Sequence, residues 1–244
     1  MNQDVFHQVP YRFRFEWGAE GVRRLAPLSD VVVIIDVFSF TTCVDIAVSR
    51  DARVFPFRSK DDSAVPFARS VNALLAGKRG ESPSLSPHSL LTLPPQSRIV
   101  LPSLNGSVCS AIAGDSRATT IAGCLRNAKT VSDYIDRLFA QGTISVIACG
   151  EQWANGDLRP ALEDMVAAGA ILDAFDPAQL SPEAAIAVGA FQAAARDLPS
   201  LLRHCSSGRE LVAKGFAEDV RLASEWNASQ AVPLLHDGAY RNRA

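Results

Sequence analysis

Five β-branched residues in succession, Val31-Val32-Val33-Ile34-Ile35, leave neither face of that segment polar. A run of this kind marks a strand buried on both sides, and such strands belong to parallel sheets covered by helices on both faces. The following residues keep the same rhythm. Positions 41–50 read as a short helix and 53–57 as a strand. Positions 61–76 read as a helix, with Asp61-Asp62 where carboxylates suit the helix dipole. Strands at 98–101, 118–122 and 143–148 alternate with helices at 106–113, 127–140 and, after a turn near Asn155-Gly156, 159–175. The helix at 127–140 carries Val131, Tyr134, Ile135, Leu138 and Phe139 on one face.

The segment 80–97 breaks the pattern with Pro83, Pro87, Pro94 and Pro95 among several serines, and reads as a loop. The last seventy or so residues are Ala-rich and helical, at 181–197, 207–214 and 217–226, with Ser181 as cap and Pro182 in the first turn. A short strand is expected at 231–235. Alternation around Val5, Phe13 and Phe15 in 4–17 suggests an antiparallel edge strand. The expected fold class is α/β: a mostly parallel sheet with helices on both faces and a helical C-terminal part. It forms one unit over 1–244, and 80–97 is where two subdomains would part.

Charge narrows the function. Twenty-four basic against 26 acidic residues give a net charge of −2, and no Lys/Arg cluster supports a nucleic-acid partner. No segment reads as a secretory leader or a membrane span. Five cysteines without a CxxC pair fit reduced thiols and a cytoplasmic protein, and structural zinc is not expected. His7, His88, His204 and His236 show no metal-ligand spacing. Homo-oligomerisation is left open.

In an open parallel sheet, ligands bind at the carboxyl ends of the strands. Each expected end gathers polar or small residues. Asp36, Ser39, Thr41 and Thr42 follow the first, and Arg58, Ser59 and Lys60 the second. Ser103, Asn105, Gly106 and Ser107 follow the third. Gly123, Cys124, Arg126 and Asn127 follow the fourth, and Cys149, Gly150 and Glu151 the fifth. Free amides at Gly106-Ser107 and Arg126-Asn127 would favour an anion, and the Arg126 guanidinium can grip two oxygens. Asp36 and Glu151 are hard oxygen donors of the kind Mg²⁺ prefers. Glu163-Asp164 begin a helix about 100° apart, so at most one should face the site squarely. Asp36 could equally cap its helix, and Cys149 fits buried packing better than a nucleophile. No GxGxxG, GxxxxGK[ST] or GxSxG motif occurs.

These residues carry a resemblance. The chain resembles the 2-phosphosulfolactate phosphatase family in Val33-Ile34-Ile35-Asp36-Val37 leading into Thr41-Thr42, in Asn105-Gly106-Ser107, and in Gly123-Cys124-Leu125-Arg126-Asn127-Ala128. The likeness continues through Cys149-Gly150-Glu151, Leu162-Glu163-Asp164, Ala168-Gly169-Ala170 and Ser207-Gly208-Arg209-Glu210-Leu211, with Gly215 and Asp219. Many relatives carry an Arg-Ala pair where this chain has Ser39-Phe40. They also have a Gly-Asn-Ser-Pro-like stretch at Leu85-Ser86-Pro87, and a cysteine displaced by one residue from Cys149.

The resemblance implies an α/β, Mg²⁺-dependent phosphatase of a small phosphorylated sulfonate in coenzyme M biosynthesis. From the chemistry, Asp36, Glu151 and Glu163 are the catalytic candidates, and Asp36, Glu151 and Asp164 the metal candidates. Asn105, Gly106, Ser107, Arg126, Asn127, Arg58 and Lys60 are the substrate-binding candidates, for a small anionic phosphorylated ligand. The attacking group is water or Asp36 itself. A non-catalytic anion binder, or a lyase or C–N hydrolase on the same scaffold, are the alternatives.

Overall fold

The β-branched run lies deep in a nine-stranded sheet, with a parallel neighbour on either side. A computed structural model describes residues 3–59 and 61–243. The chain begins β1 (Phe13–Trp17), α1 (Gly18–Leu25), β2 (Val31–Ile35), α2 (Phe40–Val48), β3 (Arg53–Phe57), α3 (Ala64–Ser70), β4 (Leu74–Leu75) and α4 (Pro87–Leu90). It continues β5 (Arg98–Pro102), α5 (Gly106–Gly114), β6 (Thr119–Gly123), α6 (Ala128–Leu138), β7 (Ile144–Ala148), β8 (Glu151–Gln152), β9 (Leu158–Arg159) and α7 (Leu162–Leu172). It ends α8 (Pro182–Ala194), α9 (Leu198–His204), α10 (Ser206–Ala213), α11 (Ala217–Ala223), β10 (Pro233–His236) and β11 (Ala239–Asn242).

The two faces of β2 show why its residues are apolar throughout. Val31, Val33 and Ile35 pack with α6, α7 and α8, whereas Val32 and Ile34 pack with α1 and α5. Both faces are covered, as the run required, and burying each such side chain stabilises the fold by about 1.5–3 kcal/mol.

The strand order is β1-β7-β2-β6-β10-β11-β3-β5-β4. Pairings within β1-β7-β2-β6 and within β3-β5-β4 are parallel. The β10–β11 hairpin is antiparallel to both blocks and joins each through a single residue pair. The second block therefore runs antiparallel to the first. The segment leaving β5 meets the end of β2, where the Gly106 amide lies 2.8 Å from Asp36 Oδ2.

Several boundaries differ from the sequence expectation. The N-terminal edge strand exists, but it is β1 alone and pairs parallel to β7; Val5 lies in a 3₁₀ turn before it. The helix expected over 61–76 shrinks to α3, because Asn72 turns left-handed (φ 48°) and frees Leu74-Leu75 to pair with β5. The helix expected from 159 starts only at Leu162, and residues 151–159 form the small β8–β9 hairpin instead. The 80–97 loop contains α4, whose first position is Pro87. The sequence reading also missed α9 and β11. Ser181 caps α8 as expected, its hydroxyl oxygen accepting the Ala184 N–H at 3.1 Å.

Candidate active site

Asp36 directly follows β2 and is almost fully buried. Its Oδ1 accepts the Phe40 N–H at 3.2 Å, and its Oδ2 accepts the Gly106 N–H at 2.8 Å and the Ser103 hydroxyl at 3.4 Å. The anion taken by the N-terminus of α5 is therefore the chain's own Asp36. Only glycine fits this approach: a Cβ at 106 would lie 2.4 Å from the Phe40 ring and 2.6 Å from Asp36 Oδ2.

Asp164, in the first turn of α7, binds two loops together. Its Oδ1 accepts the Val37 N–H at 2.8 Å and its Oδ2 the Gly150 N–H at 2.9 Å, so the ends of β2 and β7 are fastened to one carboxylate. Glu163 is buried beside it, with the Cys205 thiol donating to its Oε2 at 3.5 Å. Both acids of the pair are thus turned inward, and neither lines the open cleft.

Glu151 begins β8 directly opposite Arg159 of β9, a cross-strand pair. Its Oε2 accepts from the Asn105 amide nitrogen at 2.9 Å. Asp36, Glu151 and Asn105 line a cleft of about 640 Å³. Its other walls carry Ser39, Arg79, Trp153, Arg159, Ser207, Lys214 and Phe216. Asp36 and Glu151 bring acids to the cleft, Arg79 and Arg159 bring guanidinium groups, and Lys214 is paired there with the exposed Glu210.

The acids raise one another's pKa. Burial, then the charge of Asp36, pushes Glu151 up to about 7, against the pull of Asn105. Burial raises Asp36, opposed by the Phe40 and Gly106 amides and assisted by the Glu163 charge. Asp164 is held well above the usual carboxylate range by burial and then by Asp36 and Glu163. Burial likewise drives the Cys149 thiol well up, consistent with packing rather than nucleophilic chemistry.

Other sequence candidates lie elsewhere. Arg126 does not reach the cleft: its Nε donates to buried Asp45 at 3.0 Å, and it also pairs with Glu225. Asn127 is buried in its own turn, accepting the Cys124 N–H and donating to the Ala122 carbonyl. The end of β6 is closed over, since a Cβ on Gly123 would meet Ile171 of α7 at 2.7 Å. Ser107 donates to the Leu101 carbonyl at 2.9 Å inside the core. Arg58 pairs with Asp115 on the surface at 3.1 Å. Lys60 lies outside the described residues.

The sequence reading missed Arg79, Arg159, Ser207 and Lys214. The Asn155-Gly156 dipeptide was the available signal for Arg159, because such a pair between short strands marks a hairpin and sets Arg159 against Glu151. Arg79 offered no local signal. It sits between β4 and α4 and is recruited by Asp219 and Ser39, 140 and 40 positions away.

Among the described residues, no group of three or more His, Cys, Asp or Glu side chains is arranged as a ready metal cage. Mg²⁺ asks for less, since it is commonly held by one or two carboxylates plus waters and substrate phosphate. Asp36, at the cleft with Glu163 adding negative charge behind it, fits that mode. Both acids have each oxygen engaged by a backbone amide, and Asp164 fits less well because it does not line the cleft.

A cleft at the strand ends of an α/β sheet, lined by both carboxylates and guanidinium groups, fits an enzyme of small anionic substrates. Comparison with known families makes this specific. Residues 20–238 match the family described as 2-phosphosulpholactate phosphatase, and the chain belongs to that family. It is similar to a protein from Carboxydothermus hydrogenoformans named "Probable 2-phosphosulfolactate phosphatase", 30% identical over 84% of this chain and 86% of that one. It is also similar to the 2-phosphosulfolactate phosphatase of Methanothermobacter thermautotrophicus, 26% identical over 86% of this chain and 88% of that one. No helix among the described residues is long and apolar enough to cross a membrane.

Proposed function

We propose that the chain hydrolyses the phosphate ester of 2-phosphosulfolactate in the Asp36–Glu151 cleft, with Mg²⁺. The observation that carries this reading is that the carboxylates Asp36 and Glu151 share one cleft with the guanidinium groups of Arg79 and Arg159, while Lys214 is paired with Glu210 there. A substrate bearing phosphate, carboxylate and sulfonate needs several cationic partners, and the phosphate needs one more positive charge against the acids. Mg²⁺ held at Asp36 would supply that charge and polarise the phosphoryl group.

Glu151 donates a proton to the leaving alkoxide as the bond to phosphorus breaks, so sulfolactate departs as an alcohol. Burial raises the Glu151 pKa independently of the Asp36 charge that a bound cation would offset, which favours the protonated form a general acid requires. Asn105 orients that carboxyl group. Water is the attacking group in this reading. Both Asp36 oxygens already accept backbone N–H bonds, which hold the carboxylate in place and lower its nucleophilicity.

The test is release of inorganic phosphate from 2-phosphosulfolactate, with Mg²⁺ and with chelator, by the wild type and Asp36→Asn. Turnover should require Mg²⁺ and drop at least about 100-fold in the variant. Undiminished turnover by Asp36→Asn, or ligand binding without phosphate release by the wild type, overturns the reading.

A further inference from the structure

We propose that Arg79 recognises the second acid of the substrate, the carboxylate or sulfonate, and that Asp219 is its positioning residue. The inference rests on the phosphatase reading of the cleft and deepens it.

Arg79 lies on the segment between β4 and α4, and its side chain is 21% exposed. One terminal nitrogen donates to Asp219 Oδ2 at 2.5 Å and the other to Ser39 Oγ at 2.7 Å. The guanidinium also lies over the Phe216 ring, 5.1 Å from its centroid. Asp219 is 2% exposed, and its other oxygen accepts the Ser86 hydroxyl at 2.6 Å and the His88 N–H at 3.0 Å. A buried carboxylate with three donors is a rigid bracket, and it fixes the plane of Arg79.

A guanidinium has five N–H bonds. Asp219 and Ser39 use two, which leaves three for a ligand, and the side chain lines the cleft. The neighbouring wall is apolar, with Phe38, Leu85 and Phe216, which strengthens its hold on an anion. The planar fork suits a carboxylate or sulfonate edge. Arg159 stands on a different wall, paired across the hairpin with Glu151 at the phosphate end. The two arginines thus divide the work: Arg159 beside the reacting group, Arg79 at the acid that marks the correct substrate.

The experiment compares 2-phosphosulfolactate with phenyl phosphate, which has no second acid, in the wild type, Arg79→Gln, Arg79→Lys and Asp219→Asn. Calorimetry with sulfolactate and with inorganic phosphate accompanies the kinetics. Arg79→Gln should raise KM for 2-phosphosulfolactate about 10- to 100-fold, with kcat within about threefold. It should weaken sulfolactate binding to match, leaving phenyl phosphate turnover and phosphate binding within about threefold of wild type. Arg79→Lys, which keeps the charge without the fork, should recover only part of the loss, and Asp219→Asn should move KM in the same direction.

Equal losses on both substrates, or unchanged KM with hydrolysis intact, overturn the role of Arg79 and leave the phosphatase reading standing. Arg79-dependent binding of sulfolactate by a wild type that releases no phosphate overturns the phosphatase reading and leaves Arg79 in its role. A wild type that neither hydrolyses the ester nor binds sulfolactate overturns both.

Discussion

Glu151 and Asp164 are both carboxyls with raised pKa, yet their surroundings give them different work. Glu151 meets the cleft and has one donor, Asn105. Its acid role makes a specific demand: kcat/KM on 2-phosphosulfolactate should fall as pH rises past the raised pKa of Glu151. Glu151→Gln should flatten that limb and lower kcat about 100-fold or more. A phenol leaving group needs no proton, so phenyl phosphate should lose far less. Equal loss on both esters would remove Glu151 from proton transfer. Asp164 instead spends both oxygens on the Val37 and Gly150 amides. Asp164→Asn turns an NH₂ toward one of those donors and leaves it unsatisfied. Unfolding free energy should drop by about 1–3 kcal/mol, measured by denaturant titration. Gly150 sits at φ 67°, a left-handed conformation that suits glycine, and depends on that bond to keep its place.

At the scale of elements, Arg126 separates strand ends that build a site from those that do not. It follows β6 as closely as Glu151 follows β7, and the amino-acid types alone gave it an equal claim to the ligand. The turn after β6 passes beneath α2, however, where Asp45 is wholly buried, and Arg126 ties that turn to α2 and to Glu225. Arg126→Met strands the Asp45 carboxylate and should cost about 3–5 kcal/mol of stability, with KM for the phosphate ester unchanged. A large KM increase in a stable Arg126→Met protein would restore it to the site.

The same contrast shows what the sequence could disclose. Strands and long helices were legible because continuous apolar runs and 3.6-residue periods are local properties. Asp36 and Glu151 were legible because β2 and β7 are parallel neighbours and deliver their next residues to one rim, whereas Asn105 joins them from β5, which runs the other way. Arg79, the tie of Asp219 to it and the inward turn of Arg126 were not, since each depends on which distant element packs against it. The β10–β11 hairpin, which reverses the sheet, was half visible: the short strand expected at 231–235 overlaps β10, whereas β11 carried no expectation.

For the whole molecule, the acids gathered at the strand ends are a cost that folding must carry. Glu151 has an ordinary pKa of 4.5 and about 7 in the fold, so between those values the native state binds more protons than the unfolded chain. Stability from this group is complete below 4.5 and is lost as pH rises through 7. Asp36 and Asp164 shift in the same sense. In chelator, thermal unfolding should therefore begin several degrees lower at pH 8 than at pH 5, with Glu151 alone contributing about 2 kcal/mol. A divalent cation reverses the balance because it binds only ionised carboxylates. Mg²⁺ at a hundredfold excess over its Kd should return about 2.7 kcal/mol at pH 8 and much less at pH 5. Melting curves at the two pH values, with Mg²⁺ and with chelator, measure both effects in the absence of substrate. A melting point that rises with pH in chelator would mean the acids are compensated within the chain, and an Mg²⁺ shift equal at both pH values would place the ion away from them.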